Sequence, residues 1–361
     1  MCVRAFLLLA VVALVPMSAH ADDLIETKGF INVTVGDHLV RLEQLTIKRT
    51  DLNGKLPIAL ITHGTPISEG LMRDQSASQM AGIARDFAMR GWLVVAVERR
   101  GFGMSDGPQP APATCSSPSL LERFSADADD LQATLVAVGQ RPDADPTRAI
   151  AVGGSTGGVA VTALAARHPP GLRAVINISG GMQFAGCDSN DKLVAAFKTF
   201  AKNNTVPSLW LYAENDSFFG PDLVHRLRDA FILQGGDAKL VMFGPLGDDG
   251  HTIFQTGRYI WLPELDAFLR HYDLPTWRLN DALSLSRQIK LGERWRSLTE
   301  LYLSAPVNKA MAEAVLSGKI WYAYGYGSPA EARSKALSLC QSTGNADNCG
   351  IVMENQRWLG H

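Results

Sequence analysis

Residues 148–169 read RAIAVGGSTGGVAVTALAARHP: a short apolar run, a serine with glycine two places before and two after it, then a helical pattern. No other stretch narrows the possible folds as far. The chain must turn sharply where a strand ends and a helix begins, with Ser155 presented at the strand end. Side chains two residues before and two after would collide in such a turn, so glycine is demanded at 153 and 157.

The rest of the chain repeats the alternation of strand and helix. Residues 31–49 have the period-2 pattern of a hairpin. LPIALITHG and GWLVVAVERRGFG read as buried strands, with a helix over about 76–90 between them. DGPQPAPATCSSPS reads as a surface loop, followed by a helix over about 120–138. Beyond Ser155, LRAVINISGG, VPSLWLYAEND and AKLVMFGP are three further strands with helical patterns between them, and a last helix covers about 259–271. This spacing predicts a mostly parallel sheet with helices on both faces, whose active groups gather at the carboxyl ends of the strands. After Pro275 the rhythm stops. A helical stretch to about residue 304 precedes a segment that reads as strand, helix, cysteine-bounded loop and strand, a small α+β unit.

Composition bounds the partners. The 361 residues carry a net charge of −2 and are 46% hydrophobic, ample for a large core. Without a basic stretch to displace counterions from phosphates, nucleic acid is excluded as a partner, and a membrane-surface patch is equally unsupported.

The N-terminal MCVRAFLLLAVVALVPMSAHA has one cation, Arg4, then an apolar run too short to span a bilayer, then Ala19-His20-Ala21 in the small-x-small pattern of a cleavage site. Residues 1–21 are thus expected to be a cleaved signal peptide and the mature chain to be periplasmic or secreted, with no membrane attachment. Cys115, Cys187, Cys340 and Cys349 remain after cleavage, and an oxidising compartment favours two disulfides among three possible connectivities. Proximity favours Cys340–Cys349, which leaves Cys115–Cys187. No CxxC spacing or nearby histidine supports a zinc site.

A serine hydroxyl is a poor nucleophile until an imidazole accepts its proton, and the imidazole needs a carboxylate to fix its tautomer. Downstream of Ser155, Asp216 follows the strand SLWLYA, and His251 stands in the loop GPLGDDGHTIF before the last helix. The order serine, aspartate, histidine is that of one large class of hydrolases. His168, His225 and His271 fall in or at the ends of helical patterns, while Glu214, Asp248 and Asp249 are less well placed than Asp216. The N–H groups of Thr156 and of Thr65, in THGTP, are the candidate oxyanion donors, with His63 bracing the loop. The segment is neither a phosphate loop nor a dinucleotide fingerprint, because neither glycine register fits it.

Five motifs in order, LITHGTP, VAVERRGFGMSDG, VGGSTGG, LYAENDSFFGP and GDDGHTIF, resemble the α/β-hydrolases of the dienelactone-hydrolase and prolyl-oligopeptidase-like branch over about 31–271. The resemblance implies an α/β-hydrolase fold and an esterase-like serine hydrolase working through an acyl-enzyme on a small-molecule acyl substrate, with no metal or organic cofactor. One departure is Ser155, where typical dienelactone hydrolases carry cysteine. The C-terminal YAYGYGSPAEARSKALSLC…NC is similar to a small domain of unknown function in exported bacterial proteins. The expected organisation is a signal peptide at 1–21, a catalytic domain at 22–275, a helical linker at 276–304 and a small disulfide-containing domain at 305–361.

Two other readings compete with an esterase. A prolyl-oligopeptidase-type peptidase would use the same three residues on an amide, and a non-catalytic binding protein could keep the fold. In the C-terminal unit, Trp321, Tyr322, Tyr324 and Tyr326 suit sheet packing better than a glycan platform, since aromatics favour strands whatever they bind.

Overall fold

Apolar residues on both faces place the central strands of the main sheet between two helical layers. The computed structural model describes residues 24–66, 68–108, 117–183, 189–202, 204–277, 279–292, 295–343 and 348–359. The expected signal peptide, Cys115 and Cys187 lie outside them. The chain starts as a hairpin of β1 (Leu24–Val35) and β2 (His38–Arg49), then runs through β3 (Leu56–Thr62), α1 (Ala81–Met89), β4 (Leu93–Val97), α2 (Ser117–Gly139), β5 (Ala144–Gly154) and α3 (Thr156–Ala165). It continues with β6 (Leu172–Ile178), α4 (Ser189–Phe200), β7 (Ser208–Ala213), α5 (Pro221–Leu233), β8 (Ala238–Phe243), the one-turn α6 (Ile253–Thr256) and α7 (Arg258–His271).

These strands form one sheet in the order β1-β2-β4-β3-β5-β6-β7-β8, with β3 to β8 parallel and β1 and β2 antiparallel at one edge. Ile58 and Leu60 of β3 face one layer, built on α2, α3, α4 and α5, while Ala59 and Ile61 face the other, built on α1 and α7. The hairpin starts seven residues before the alternation at 31 suggests. Residues 24–30 are an edge segment with both faces largely exposed, so no hydrophobic period marks it.

Beyond Leu274 the chain forms α8 (Leu279–Gln288), α9 (Arg296–Ser304), β9 (Ala310–Ala314), β10 (Lys319–Ala323), α10 (Pro329–Thr343), β11 (Cys349–Glu354) and β12 (Arg357–Trp358). The strands make a second, antiparallel sheet in the order β10-β9-β11-β12. The sequence reading missed β9, the second strand in that order. Its AMAEA is alanine-rich and low in strand propensity, yet Ala310, Ala312 and Ala314 pack on Ala332, Ala336 and Cys340 of α10, where small side chains allow close approach. Met311, Val352 and Met353 line the opposite face and pack on Leu285 of α8, on Ile289 just after it, and on Tyr302 and Leu303 of α9. The two helices expected as a linker therefore cover one face of this sheet. Cys340 and Cys349 form the expected disulfide, tying α10 to β11. Trp321, Tyr322 and Tyr326 are partly buried against the two clusters, and Tyr324 lies between Tyr322 and Tyr259 of α7, with ring centroids 6.0 and 5.9 Å away.

One carboxylate locks the second unit to the first. Asp266 of α7 accepts from Arg90 Nε at 2.6 Å and Nη2 at 2.8 Å, from the Thr276 hydroxyl, and from the Ser304 hydroxyl at 2.7 Å. Both side chains of the Arg90–Asp266 pair are about as buried as the core around them. Removing one member strands the other charge away from water. Asp266→Ala is expected to lower unfolding free energy by about 3–5 kcal/mol, measured by urea titration.

Candidate active site

The functional residues expected from the sequence stand at the carboxyl ends of β3, β5, β7 and β8. Ser155 follows β5 with φ 53° and ψ −123°, in the left-handed half of backbone space where a non-glycine residue is strained by about 1–3 kcal/mol. The surroundings hold it there. Its N–H donates to the Ile178 carbonyl at 3.0 Å, and its own carbonyl accepts from Gly158 at 2.9 Å and Gly181 at 3.2 Å. The flanking glycines are required by contact: a Cβ on Gly153 would sit 2.1 Å from the Gly157 carbonyl oxygen, and one on Gly157 would sit 2.4 Å from that of His63.

His251 is set by a different device. Asp249 caps the short turn Gly250–Thr252, accepting the His251 N–H at 2.9 Å, the Ser217 N–H at 3.1 Å and the Ser217 hydroxyl at 2.8 Å. Burial pushes the Asp249 carboxyl up, but these donors outweigh it and hold the group below its ordinary value. Asn215 fastens the same loop to the end of β7, accepting the Leu246 N–H at 2.8 Å and donating to the Gly247 carbonyl at 3.1 Å.

These supports bring Ser155, His251 and Asp216 into one line. His251 Nε2 lies 3.2 Å from Ser155 Oγ, and Nδ1 lies 3.1 Å from each oxygen of Asp216. The Asp216 side chain is fully buried, and its Oδ1 also accepts from the N–H groups of Phe218 at 2.9 Å and Phe219 at 3.0 Å. The rings of the same two residues stand against the imidazole, with centroids 4.6 and 5.5 Å away. His168, His225 and His271 are exposed and apart from this line, as are Glu214 and Asp248.

Thr65 and Thr156 are linked directly, their hydroxyl oxygens 2.9 Å apart. The Thr156 N–H opens α3, so it has no acceptor within the helix. Arg99, fully buried, donates to the Thr156 hydroxyl at 3.3 Å and, through Nη1, to the Thr62 hydroxyl and the His63 carbonyl, both at 2.7 Å. His63 is a loop brace, as expected: Nδ1–H donates to the Gly64 carbonyl at 2.6 Å and Nε2 accepts the Arg99 N–H at 3.1 Å. Burial, reinforced by the Arg99 charge, holds His63 well below the ordinary imidazole range. A cleft of about 250 Å³ opens over Ser155 and His251, with Thr65, Pro66, Gln75, Met80, Phe254 and Gln255 among its walls and Glu98 beside His63. Among the described residues no cluster of three histidine, cysteine or acidic side chains is arranged to hold a metal, and no helix is long and apolar enough to cross a membrane.

The sequence reading missed Arg99, Asn215 and the capping role of Asp249. Arg99 left one signal, since a charged triplet closing a fully apolar strand, VAVERR, must either leave the core or be paired within it.

The profile of a family described as serine aminopeptidase, S33, matches residues 72–219. No significant match is found among curated proteins. Solved structures are similar at low identity. An esterase from Pyrococcus furiosus superposes with a TM-score of 0.50 at 15% identity, covering 68% of this chain and 90% of its own. Thermogutta terrifontis esterase 2, phosphoramylated by tabun, does so with a TM-score of 0.50 at 13% identity, over 70% of this chain and 97% of its own. A dienelactone hydrolase-like promiscuous phosphotriesterase from metagenomic libraries gives 0.44 at 17% identity, over 61% and 82%. At these identities the likeness is one of fold. Fold and profile match agree: the chain has the α/β-hydrolase fold, and its residues 72–219 match a serine-hydrolase profile.

The elbow carries its own test. Gly157→Ala would drive a methyl group into the His63 carbonyl, backbone against backbone. It is expected to destabilise the fold by about 1–3 kcal/mol in thermal or urea unfolding, with Gly158→Ala not a neutral control because Asn177 Oδ1 stands 2.3 Å from that Cβ.

Proposed function

We propose that the chain is an exported carboxylic-ester hydrolase in which Ser155, His251 and Asp216 form the catalytic triad. The observation that carries this reading is the unbroken hydrogen-bond line from Ser155 Oγ through both nitrogens of His251 to the buried Asp216 carboxylate. Asp216 accepts the Nδ1–H hydrogen bond, which leaves the Nε2 lone pair directed at Oγ. Ser155 attacks the acyl carbonyl as His251 takes its proton, and the negative oxygen that forms is met by the N–H groups of Thr156 and Thr65. His251 then protonates the departing alkoxide. Water, activated by the same imidazole, releases the acid from the acyl-enzyme.

The neutral walls of the cleft, with its glutamines, Met80 and Phe254, suit an uncharged ester of modest size. The S33 match favours a second reading, a serine peptidase acting through the same residues on an amide. The N-terminal sequence and the Cys340–Cys349 disulfide support export to an oxidising compartment.

A fluorophosphonate is expected to label the wild-type chain at Ser155, with Ser155→Ala unlabelled and its ester turnover reduced by on the order of 10⁴-fold or more. A folded wild-type protein that resists labelling refutes the triad. Paired chromogenic ester and amide substrates with one acyl group separate the two readings. Thr156→Val, which keeps the N–H but removes the hydroxyl link to Thr65 and Arg99, is expected to lower kcat about 10-fold with KM little changed. For export, the mature protein is expected to start at Asp22 and to show no free thiols under denaturing, non-reducing conditions, since Cys115 and Cys187 are assigned as the second pair.

A further inference from the structure

One carboxyl group in the cleft has no task in the triad. Glu98 directly follows β4, is 1% exposed and lines the cleft with Ser155 and His251. Its Oε2 lies 3.2 Å from His63 Nε2 and, as an acceptor, finds no donor.

The protons on His63 decide what this contact is. Nδ1 faces the Gly64 carbonyl at 2.6 Å, and a carbonyl only accepts, so Nδ1 carries the ring proton. Nε2 accepts the Arg99 N–H at 3.1 Å, so it presents a lone pair. A second ring proton would abolish that acceptance, and burial beside Arg99 already opposes it. A carboxylate oxygen 3.2 Å from the lone pair would set acceptor against acceptor. The contact is attractive only when Glu98 brings its own proton.

The surrounding charges are mixed. Arg99, the next residue, favours the ionised form, while Glu43 of β2 opposes it. Behind Arg99 stand Asp127 and Arg123 of α2, with Asp127 Oδ1 3.3 Å from Arg99 Nε and Asp127 Oδ2 3.5 Å from Arg123 Nη2. Burial is the largest influence and, with Glu43, outweighs Arg99, so the carboxyl is pushed up to about 8.

We propose that Glu98 is a positioning residue held as a neutral carboxylic acid, whose O–H donates to His63 Nε2 and shares its lone pair with the Arg99 N–H. That bond fixes the Nδ1–H tautomer, the Nδ1–H fixes the Gly64 carbonyl, and the 63–65 loop then presents the Thr65 N–H where the oxyanion forms. Ionising Glu98 turns the contact repulsive and places a negative charge in the cleft where another must develop. The kinetic consequence rests on the esterase reading, whereas the proton on Glu98 does not.

Glu98→Gln keeps a neutral side chain with an N–H donor and cannot ionise. With a neutral chromogenic ester, wild-type kcat is expected to fall along an alkaline limb with a midpoint near 8, KM changing less, while Glu98→Gln keeps kcat within about threefold at neutral pH and loses that limb. The folded carboxyl sits above its ordinary value of 4.5, so the folded chain holds a proton that the unfolded chain releases. Its contribution to stability is full below about 4.5 and is lost as pH rises towards about 8. Wild-type Tm is therefore expected to decline across that window relative to Glu98→Gln.

A limb unchanged in Glu98→Gln, or absent from the wild type, overturns the positioning role. Parallel Tm profiles overturn the neutral acid. Should neither protein turn over esters, the esterase reading fails while the Tm comparison still reports on Glu98. If the variant does not fold, infrared titration of the wild type decides: a protonated-carboxyl band lost near 8 supports the assignment, and its absence at neutral pH overturns it.

Discussion

The Arg99 guanidinium holds the active end of this molecule together. It lies wholly out of water, and its donors reach the end of β3 through Thr62 and His63 and the start of α3 through Thr156. Its Nε lies 3.3 Å from Asp127 but without hydrogen-bond alignment, so α2 balances the charge more than it fixes the direction. Burying such a group is costly, and an apolar replacement is often neutral or better for stability alone. What the arginine supplies is relative position. The elbow that carries Ser155 and the loop that carries Thr65 come from separate strand ends, and a rigid planar fork spans both.

Around this fork the strain is local and well opposed. The backbone at Ser155 is held in its unfavourable region by three hydrogen bonds and by glycines packed against carbonyl oxygens. His251 and Asp216 rest on separate scaffolding, through Asp249 and Asn215 for the loop and through backbone N–H groups for Asp216. Each of the three side chains proposed as the triad is therefore located by neighbouring residues, which is how a site keeps its geometry before a ligand arrives.

Much of this was legible in the chain. The serine turn announced itself through steric demands that only glycine meets, and Asp216 and His251 stood where apolar strands gave way to polar loops. The misses have physical causes. Alanine-rich β9 carries little strand preference of its own and exists because α10 covers it. The first residues of β1 carry no burial period because both faces meet solvent. The helices at 279–304 looked like a connection, since the apolar residues they cover lie far along the chain, at Met311, Val352 and Met353. Arg99 and Glu98 were visible as charges, but their partners come from β2, β3 and α2, and linear spacing cannot disclose such a meeting.

The Phe218–Phe219 pair links Asp216 and His251 in a way that neither contact alone conveys. Its two amides bind the carboxylate of Asp216, and its two rings wall the imidazole of His251. A displacement of this dipeptide would shift the hydrogen bonds of Asp216 and the surroundings of His251 together. The loop after β7 thus ties the Asp216 carboxylate and the His251 imidazole to one dipeptide.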